Sequence, residues 1–274
     1  MPFLAEPARA KLNLALHVTG RRADGYHRLD SLVAFAGIGD TVELEPGPLS
    51  LHVDGPFAAG LSTHDNLCLR AARLAGAEAA IRLTKILPVA SGIGGGSADA
   101  AAVLRGLARM GHPLPSNPER LGADVPVCLA SGPARMQGVG EIVTPLPPLP
   151  ALAVVLANPG VALSTPQVFA AMARRDHPGL PAIPRFAGRD DLTAWLAGTR
   201  NDLEPAALAI APVIGQVLYA LRATGAAFAR MSGSGATCFG LYDSPDHART
   251  AAAALNRHGW WAVATELAPP LLPR

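Results

Sequence analysis

Residues 92–96 read Gly-Ile-Gly-Gly-Gly, and Ser97-Ala98-Asp99 follow at the head of an alanine-rich segment. Glycine loses the most backbone entropy on ordering, so such a cluster points to something that approaches the main chain closely. Three phosphate-cradling loops can be tested against this spacing. A P-loop needs Lys-Ser/Thr after its last glycine, whereas Gly96 is followed by Ser97-Ala98. A dinucleotide fingerprint needs G-x-G-x-x-G opening a first βαβ unit, and residues 92–97 give G-x-G-x-x-S deep in the chain. The third is a general anion site, in which successive glycine N–H groups converge on oxygens and the positive end of the following helix adds its partial charge. Ser97 would offer a hydroxyl to phosphate or magnesium, and Asp99 would repel a phosphate unless a cation lies between them. The alternative is a close-packed turn in which glycine only avoids steric conflict.

The lysines are the next signal. The chain has 21 Arg but only two Lys, Lys11 and Lys85. A composition this rich in Ala, Arg, Gly and Pro suggests that Arg replaces Lys wherever either serves; a lysine that remains would then mark a place where a planar guanidinium does not fit, the alternative being that two survive by chance. Lys11 sits in "AKLNLALHV", whose strict alternation turns Leu12, Leu14, Leu16 and Val18 one way and Lys11, Asn13, Ala15 and His17 the other. That pattern predicts a half-buried strand, with Lys11 and Asn13 either on a solvated face or in one polar cavity. Asp124, in "GADVPV", suits a turn or a helix cap as well as a reactive carboxylate. Tyr26 and His27 follow the Asp24-Gly25 turn signal, which puts them at a hairpin end. Phe169 falls in a helical pattern starting near Thr165, where a core position is the default.

These residues need elements to hold them. At 274 residues, with half of them apolar and 16% charged, the chain is long enough for one large or two modest domains. Net charge is +2 without any basic stripe, which argues against nucleic-acid partners. Three cysteines, Cys68, Cys128 and Cys238, match neither a metal spacing nor a disulfide framework, so a reducing cytoplasmic setting is expected. The start lacks a basic leader and an apolar stretch. The uncharged run from Ile142 to Ala173 contains six prolines, which excludes a continuous membrane helix; a soluble protein is expected. Helices are predicted at 65–77 and 97–110, the second amphipathic with Arg105 and Arg109 on its polar side. "LDSLVAFAGI" reads as a further apolar stretch, "DTVELEP" and "LSLHVDG" as a strand pair, and "LGADVPVCLASG" as a loop. The proline-rich 144–150 divides residues 1–149 from 150–274. Beyond it, strands and helices (the latter near 165–174, 190–197, 205–223 and 246–258) suggest two β-α-β passes with an antiparallel middle pair, a ferredoxin-like layer. The fold class is α+β.

"PVASGIGGGSA" (88–98) resembles the second motif of the GHMP kinases, small-molecule kinases that hold ATP in a glycine-rich loop. "ARMSGSGATCFGLY" (229–242) resembles their third motif, and "PARAKLNLALHVTGRRADGYHRL" their first. "DNL", "LGADVPV", "GVGE", "STPQVF" and "NDLE" follow in that family's order, so the resemblance spans nearly the whole chain. "RADGYH" is similar to the branch that phosphorylates a cytidylated methylerythritol. Ile93, Ala98 and Ser91 depart from the family's more usual Leu, Ser and Gly.

The resemblance implies a two-domain fold with the active site between the halves, ATP and magnesium as cofactors, and a monomer or homodimer. It implies that Pro88, Val89, Ala90, Ser91, Gly92, Ile93, Gly94, Gly95, Gly96, Ser97 and Ala98 surround the phosphates, with Ser97 on the metal and Asn66 near the adenine. Lys11 and Asp124 would be catalytic, the carboxylate taking the hydroxyl proton and the ammonium stabilising the alkoxide. Asn13 and Thr165 would bind the substrate, Tyr26 and Phe169 would wall its cytosine, and His27 would bond the ring's polar edge. Another GHMP kinase acting on homoserine or mevalonate, or a nucleotide-binding module without turnover, are the alternatives.

Overall fold

A computed structural model describes residues 4–271. The chain opens with a long antiparallel hairpin, β1 (Leu4–Arg21) and β2 (His27–Glu45), closed by the Asp24-Gly25 turn. Then come β3 (Ser50–Asp54), α1 (Leu67–Leu74), β4 (Ala80–Thr84) and α2 (Gly95–Arg109). A 3₁₀ turn (Pro118–Leu121), α3 (Val125–Ala130), β5 (Ala134–Gly138) and β6 (Ile142–Pro145) complete the first sheet, which runs β3-β4-β2-β5-β6 with β1 on β2. Asn66 starts α1 by accepting the Cys68 N–H at 2.9 Å.

The second half contains β7 (Ala153–Asn158), α4 (Thr165–Ala170), α5 (Arg189–Ala197), α6 (Glu204–Ile210) and α7 (Val213–Ala223). It ends with β8 (Phe228–Met231), β9 (Cys238–Tyr242), α8 (Pro245–Asn256) and β10 (Trp261–Glu266). Its sheet runs β10-β7-β9-β8 with every neighbouring pair antiparallel, the order of a ferredoxin-like β-α-β-β-α-β layer. The α+β expectation is met.

Four local expectations are corrected. The first strand is not half-buried: Lys11, Asn13, Ala15 and His17 are as enclosed as the leucines between them, because the glycine loop and Asp124 close on Lys11 while the second half of the chain meets Asn13 and His17. "LDSLVAFAGI" and "DTVELEP" form one strand, β2, and β3 does not pair with it; β4 lies between them and runs parallel to β3. The segment expected to be a loop contains the helix α3 over Val125–Ala130, with Pro126 in the first turn where its missing N–H costs nothing. The pattern over 205–223 breaks before Pro212 into α6 and α7, bent by 118°. No single helix among the described residues is long and apolar enough to cross a membrane.

Three cores hold the layers. One lies between the first sheet and α1–α3, with Val103, Leu104 and Leu107 of α2 at its centre. Another packs Val155 and Ala157 of β7 against α6, α7 and α8. The third takes the opposite face of β7, Val154 and Leu156, and joins it to Leu12, Leu14 and Ala34 of the first hairpin. β7 is therefore buried on both sides, and the two halves share one apolar joint. Polar ties reinforce it. Leu16 N–H donates to Arg200 O at 2.8 Å, Asp202 N–H to Leu16 O at 2.9 Å, and Val18 N–H to Asp202 Oδ2 at 2.8 Å.

Arg230 crosses the same joint. Its buried guanidinium donates to Leu14 O, Leu196 O, Thr199 O and Thr199 Oγ1 and lies 4.6 Å from the centre of the Phe228 ring. Burial lowers its pKa to about 10, so it stays charged at neutral pH. Removing it would strand buried carbonyls. Arg230→Ala is expected to lower unfolding free energy by about 2–3 kcal/mol in urea titrations. A loss under about 1 kcal/mol would show that water replaces the guanidinium freely.

Candidate active site

The two halves enclose a cleft of about 1160 Å³. Into it projects Lys11, whose ammonium lies 2.8 Å from Asp124 Oδ1. Lys11 is only 4% exposed, so the solvated-face reading fails. A register shift between Arg9 and Lys11 frees β1 locally from β2, and the Lys11 N–H donates instead to Ile93 O at 2.9 Å. Asp124 stands just before α3, in the position of a cap, yet its side chain caps nothing. Its carboxylate is committed to Lys11 and partly open to the cleft.

The glycine run divides into two jobs. Gly92 (φ +76°) is the close-packed turn: a Cβ there would lie 2.5 Å from Ser232 O and 2.7 Å from Gly235 N and O. Gly94 (φ +64°) occupies the N-cap of α2 in left-handed geometry and brings no side chain to cap it. The first-turn N–H groups of α2 are therefore left for an outside acceptor at the head of a 15-residue helix. Ser97 is half-buried there and lines the cleft with Gly94, Gly95 and Gly96, while Pro88, Val89 and Ala90 form its rim. Ser91 holds the loop's entry, its hydroxyl donating to Pro88 O at 2.6 Å and its carbonyl accepting the Thr237 N–H at 3.0 Å. Ile93 and Ala98 do not line the cleft; their side chains are buried in two of the cores.

Behind this loop lies a cluster the sequence reading missed. Lys85 donates to Asp99 Oδ2 at 2.7 Å and to Asp40 Oδ2, all three buried. Asp40 Oδ1 also accepts the N–H groups of Ile86 (2.6 Å) and Leu87 (2.8 Å). Burial opposes the Lys85 charge, but Asp99 and Asp40 outweigh it and raise its pKa. Burial pushes Asp99 up to about 7 against the pull of Lys85, and Asp40 adds to the rise. The cation that Asp99 needs beside an anion cradle is Lys85. The scarcity of lysine was the available signal, and it gave Lys85 no partner.

At the other end, His27 stacks on Phe169 with ring centroids 4.6 Å apart and planes 15° from parallel. His27 Nε2 is buried without a hydrogen-bond partner. Burial, then the charges of Arg175 and Arg21, lower the His27 pKa and keep the ring neutral. Tyr26 is 65% exposed at the cleft mouth. Phe169 is half-buried against the second core but open to the cleft, so the default core position holds only in part. Its ring partner is His27 and not Tyr26. Thr165 Oγ1 is 2.7 Å from Ser234 Oγ, a third-motif residue that also lines the cleft. Asn13 is held from both ends: its Nδ2 donates to Ser31 Oγ at 2.8 Å and its N–H to Ser232 Oγ at 3.1 Å. Asn66 lines the cleft too, but its side chain serves α1 and donates to Ser62 O at 3.2 Å.

A lysine–carboxylate pair beside free helix-terminal donors suits transfer of a phosphoryl group to a hydroxyl. Comparison with known proteins agrees. Residues 66–132 match the GHMP kinases N terminal domain, and residues 182–259 match GHMP kinases C terminal. The chain is 61% identical over 268 residues to the 4-diphosphocytidyl-2-C-methyl-D-erythritol kinase of Paracoccus denitrificans, covering 96% of this chain and 97% of the relative. It is 57% identical to that of Ruegeria pomeroyi, covering 93% and 96%. A crystal structure of 4-(cytidine 5'-diphospho)-2C-methyl-D-erythritol kinase superposes with a TM-score of 0.79 at 38% identity, covering 96% of this chain and 99% of that one. Homoserine kinase from Cytophaga hutchinsonii shares the fold, with a TM-score of 0.69 at 18% identity over 98% and 96%. The chain belongs to the GHMP kinase family, enzymes that use ATP. Within that family its whole length is similar to the 4-diphosphocytidyl-2-C-methyl-D-erythritol kinases.

The Asp40–Lys85–Asp99 cluster yields a pH signature. With its pKa raised from 3.8 to about 7, Asp99 keeps a proton in the folded chain that it releases when unfolded. Folding takes up that proton between the two values, so this group's contribution to stability falls as pH rises from about 4 to about 7 and then levels. Asp99→Asn mimics the protonated form and should flatten that slope in urea midpoints taken at pH 5, 6, 7 and 8. The same slope in wild type and variant would remove Asp99 as its source.

Proposed function

We propose that the protein transfers the γ-phosphate of ATP to the 2-hydroxyl of 4-diphosphocytidyl-2-C-methyl-D-erythritol, a step of the non-mevalonate route to isoprenoid precursors. The observation that carries this reading is the full-length similarity to kinases of that name, joined to a buried Lys11 paired at 2.8 Å with an Asp124 partly open to the cleft.

In this reading Asp124 accepts the proton of the substrate hydroxyl as its oxygen bonds to phosphorus and the bond to the departing ADP breaks. Lys11 stabilises the negative charge developing on that oxygen, and Asn13 fixes the substrate chain beside it. The first-turn N–H groups of α2 hold the transferring phosphate, so positioning and charge neutralisation supply most of the acceleration. Magnesium fits as an ion carried mainly by the nucleotide. Among the described residues no three acidic, His or Cys side chains gather to hold a metal, and Ser97 offers its hydroxyl at the head of α2. When bound, the ion neutralises charge on the phosphate oxygens. Asn66 stands toward the adenine. At the acceptor end, Phe169, His27 and Tyr26 hold the cytosine, the free His27 Nε2 meeting its polar edge, and Thr165 borders the substrate.

The catalytic unit divides as residues 1–149, with the phosphate loop and the Lys11–Asp124 pair, and 150–274, with the ferredoxin-like layer. It acts as a monomer or homodimer in the cytoplasm, where its three buried free cysteines stay reduced, without nucleic-acid or membrane partners.

Two measurements test these roles. Asp124→Asn should lower kcat by roughly 10²-fold or more while an ATP analogue binds as before. Normal kcat with a lower melting temperature would return Asp124 to a turn role. Isothermal titration should find that Phe169→Ala or Tyr26→Ala weakens cytidylated-substrate binding by about 5- to 150-fold, with ATP affinity unmoved. Phe169→Ala should cost more, since Phe169 also orders His27. Unchanged affinity in both variants would leave a GHMP kinase of another specificity.

A further inference from the structure

The cleft contains four Lys or Arg side chains, and they fall into two classes. Lys11 is matched by Asp124, and Lys85 by Asp40 and Asp99. Arg21 and Arg175, the only arginines lining the cleft, have no carboxylate within 4.0 Å among the described residues. Acidic groups exist nearby but are engaged elsewhere: Asp24 pairs with Arg22 at 2.9 Å and Asp176 with Arg174 at 2.9 Å. Each cleft arginine is steadied by one carbonyl, Arg21 Nε on Gly25 O at 3.1 Å and Arg175 Nη2 on Ala170 O at 2.9 Å. Their remaining N–H groups have no protein acceptor among the described residues.

One arginine ends β1 and the other follows α4, so they approach from the two halves of the chain. His27 lines the same cleft within reach of both charges, which after burial lower its pKa, and its Nε2 is buried without a partner among the described residues. An uncharged hydrogen-bonding ring flanked by two unmatched guanidiniums is suited to a base carrying a doubly charged group. A diphosphate bridge esterified at both ends carries two negative charges at neutral pH, one per phosphate. Guanidinium forks meet phosphate oxygens in bidentate geometry.

We propose that Arg21 and Arg175 bind the diphosphate bridge of the nucleotide-tagged substrate, one arginine from each half. This rests on the cytidylated-substrate reading given above. It adds a charge criterion to that specificity: a cytidine lacking its phosphates would find the base pocket but not the anchor.

CDP and cytidine, titrated separately into the full-length protein, test it. Wild type should prefer CDP. Arg21→Gln and Arg175→Gln should each weaken CDP by about tenfold, the scale of one charge-assisted contact at a partly open site, and raise KM for the cytidylated substrate similarly. Cytidine affinity and KM for ATP should stay level, which also reports an intact pocket, and Arg→Lys should restore part of the loss. A wild type indifferent to the diphosphate, or variants that keep the full preference for CDP, would overturn the proposal. Loss of CDP preference in the variants without turnover of the cytidylated substrate by wild type would instead uphold the anchor and refute the assigned reaction.

Discussion

The hydroxyl of Ser232 is fully buried where three separate segments meet. It accepts the N–H of Asn13 at 3.1 Å and donates to Gly92 O at 3.1 Å, so β1, the glycine loop and the turn after β8 share one atom. Neighbouring bonds repeat the connection. Lys11 N–H reaches Ile93 O, Thr237 N–H reaches Ser91 O, and Asn201 Nδ2 donates to both Met231 O and Gly233 O at 2.9 Å. None of these buried groups can be left unpaired cheaply, so the segments move together or not at all. The space a side chain would need at Gly92 is already filled by the Ser232–Gly235 backbone. The distance between the Lys11 main chain and the head of α2 is thus set by these bonds, and Asp124 holds the ammonium at the far end of its side chain. Such a frame is what phosphoryl transfer asks of a protein, because positioning supplies most of the rate.

The same frame explains why the two lysines do different work. Lys11 faces one carboxylate that is partly open to the cleft, whereas Lys85 faces two that are closed off. Two buried aspartates against one ammonium leave a net negative charge directly behind an anion cradle. Desolvating that charge is costly, and it would oppose any phosphate in front of it. A proton on Asp99 relieves both problems. The geometry agrees with that placement: two backbone N–H groups donate to Asp40 Oδ1, while Asp99 Oδ1 has no partner among the described residues.

What was readable in advance follows from how local each feature is. The strands and helices of the second half announce themselves through periodicity and turn residues, and α2 through its glycine-to-alanine transition. The burial of β1 does not, because Lys11, Asn13 and His17 look like a wet face until the glycine loop and Asp124 meet the first, Ser232 the second and Arg200 the third. α3 has six residues and a proline, too short to show a period. Strand order is non-local, so nothing in 41–54 reveals that β4 will separate two neighbours in sequence. The Lys11–Asp124 pair was reached through lysine scarcity and family motifs together. The Asp40–Lys85–Asp99 cluster brings 40, 85 and 99 together with no motif marking the aspartate at 40, and His27 meets Phe169 across most of the chain.

Charge along the cleft then follows a simple order. At the head of α2 lie first-turn N–H groups with no side-chain cap, beside them a matched Lys11–Asp124 pair, and elsewhere in the lining two arginines without a carboxylate partner among the described residues. A kinase joining a triphosphate to a diphosphate ester must bring two polyanions together, and their repulsion grows as water is excluded. Positive potential at both ends of the cleft offsets that repulsion where the charges rest. Under the proposed roles, the balanced Lys11–Asp124 pair would leave the acceptor hydroxyl facing a base and an ammonium without drawing a second phosphate into the same space. Lys11 without Asp124 would attract any phosphate to the reaction point, and Asp124 without Lys11 would repel the one that must arrive. On the proposed roles the pairing would serve selectivity of placement as much as proton transfer, a task that suits the compact ammonium of one of the chain's two lysines.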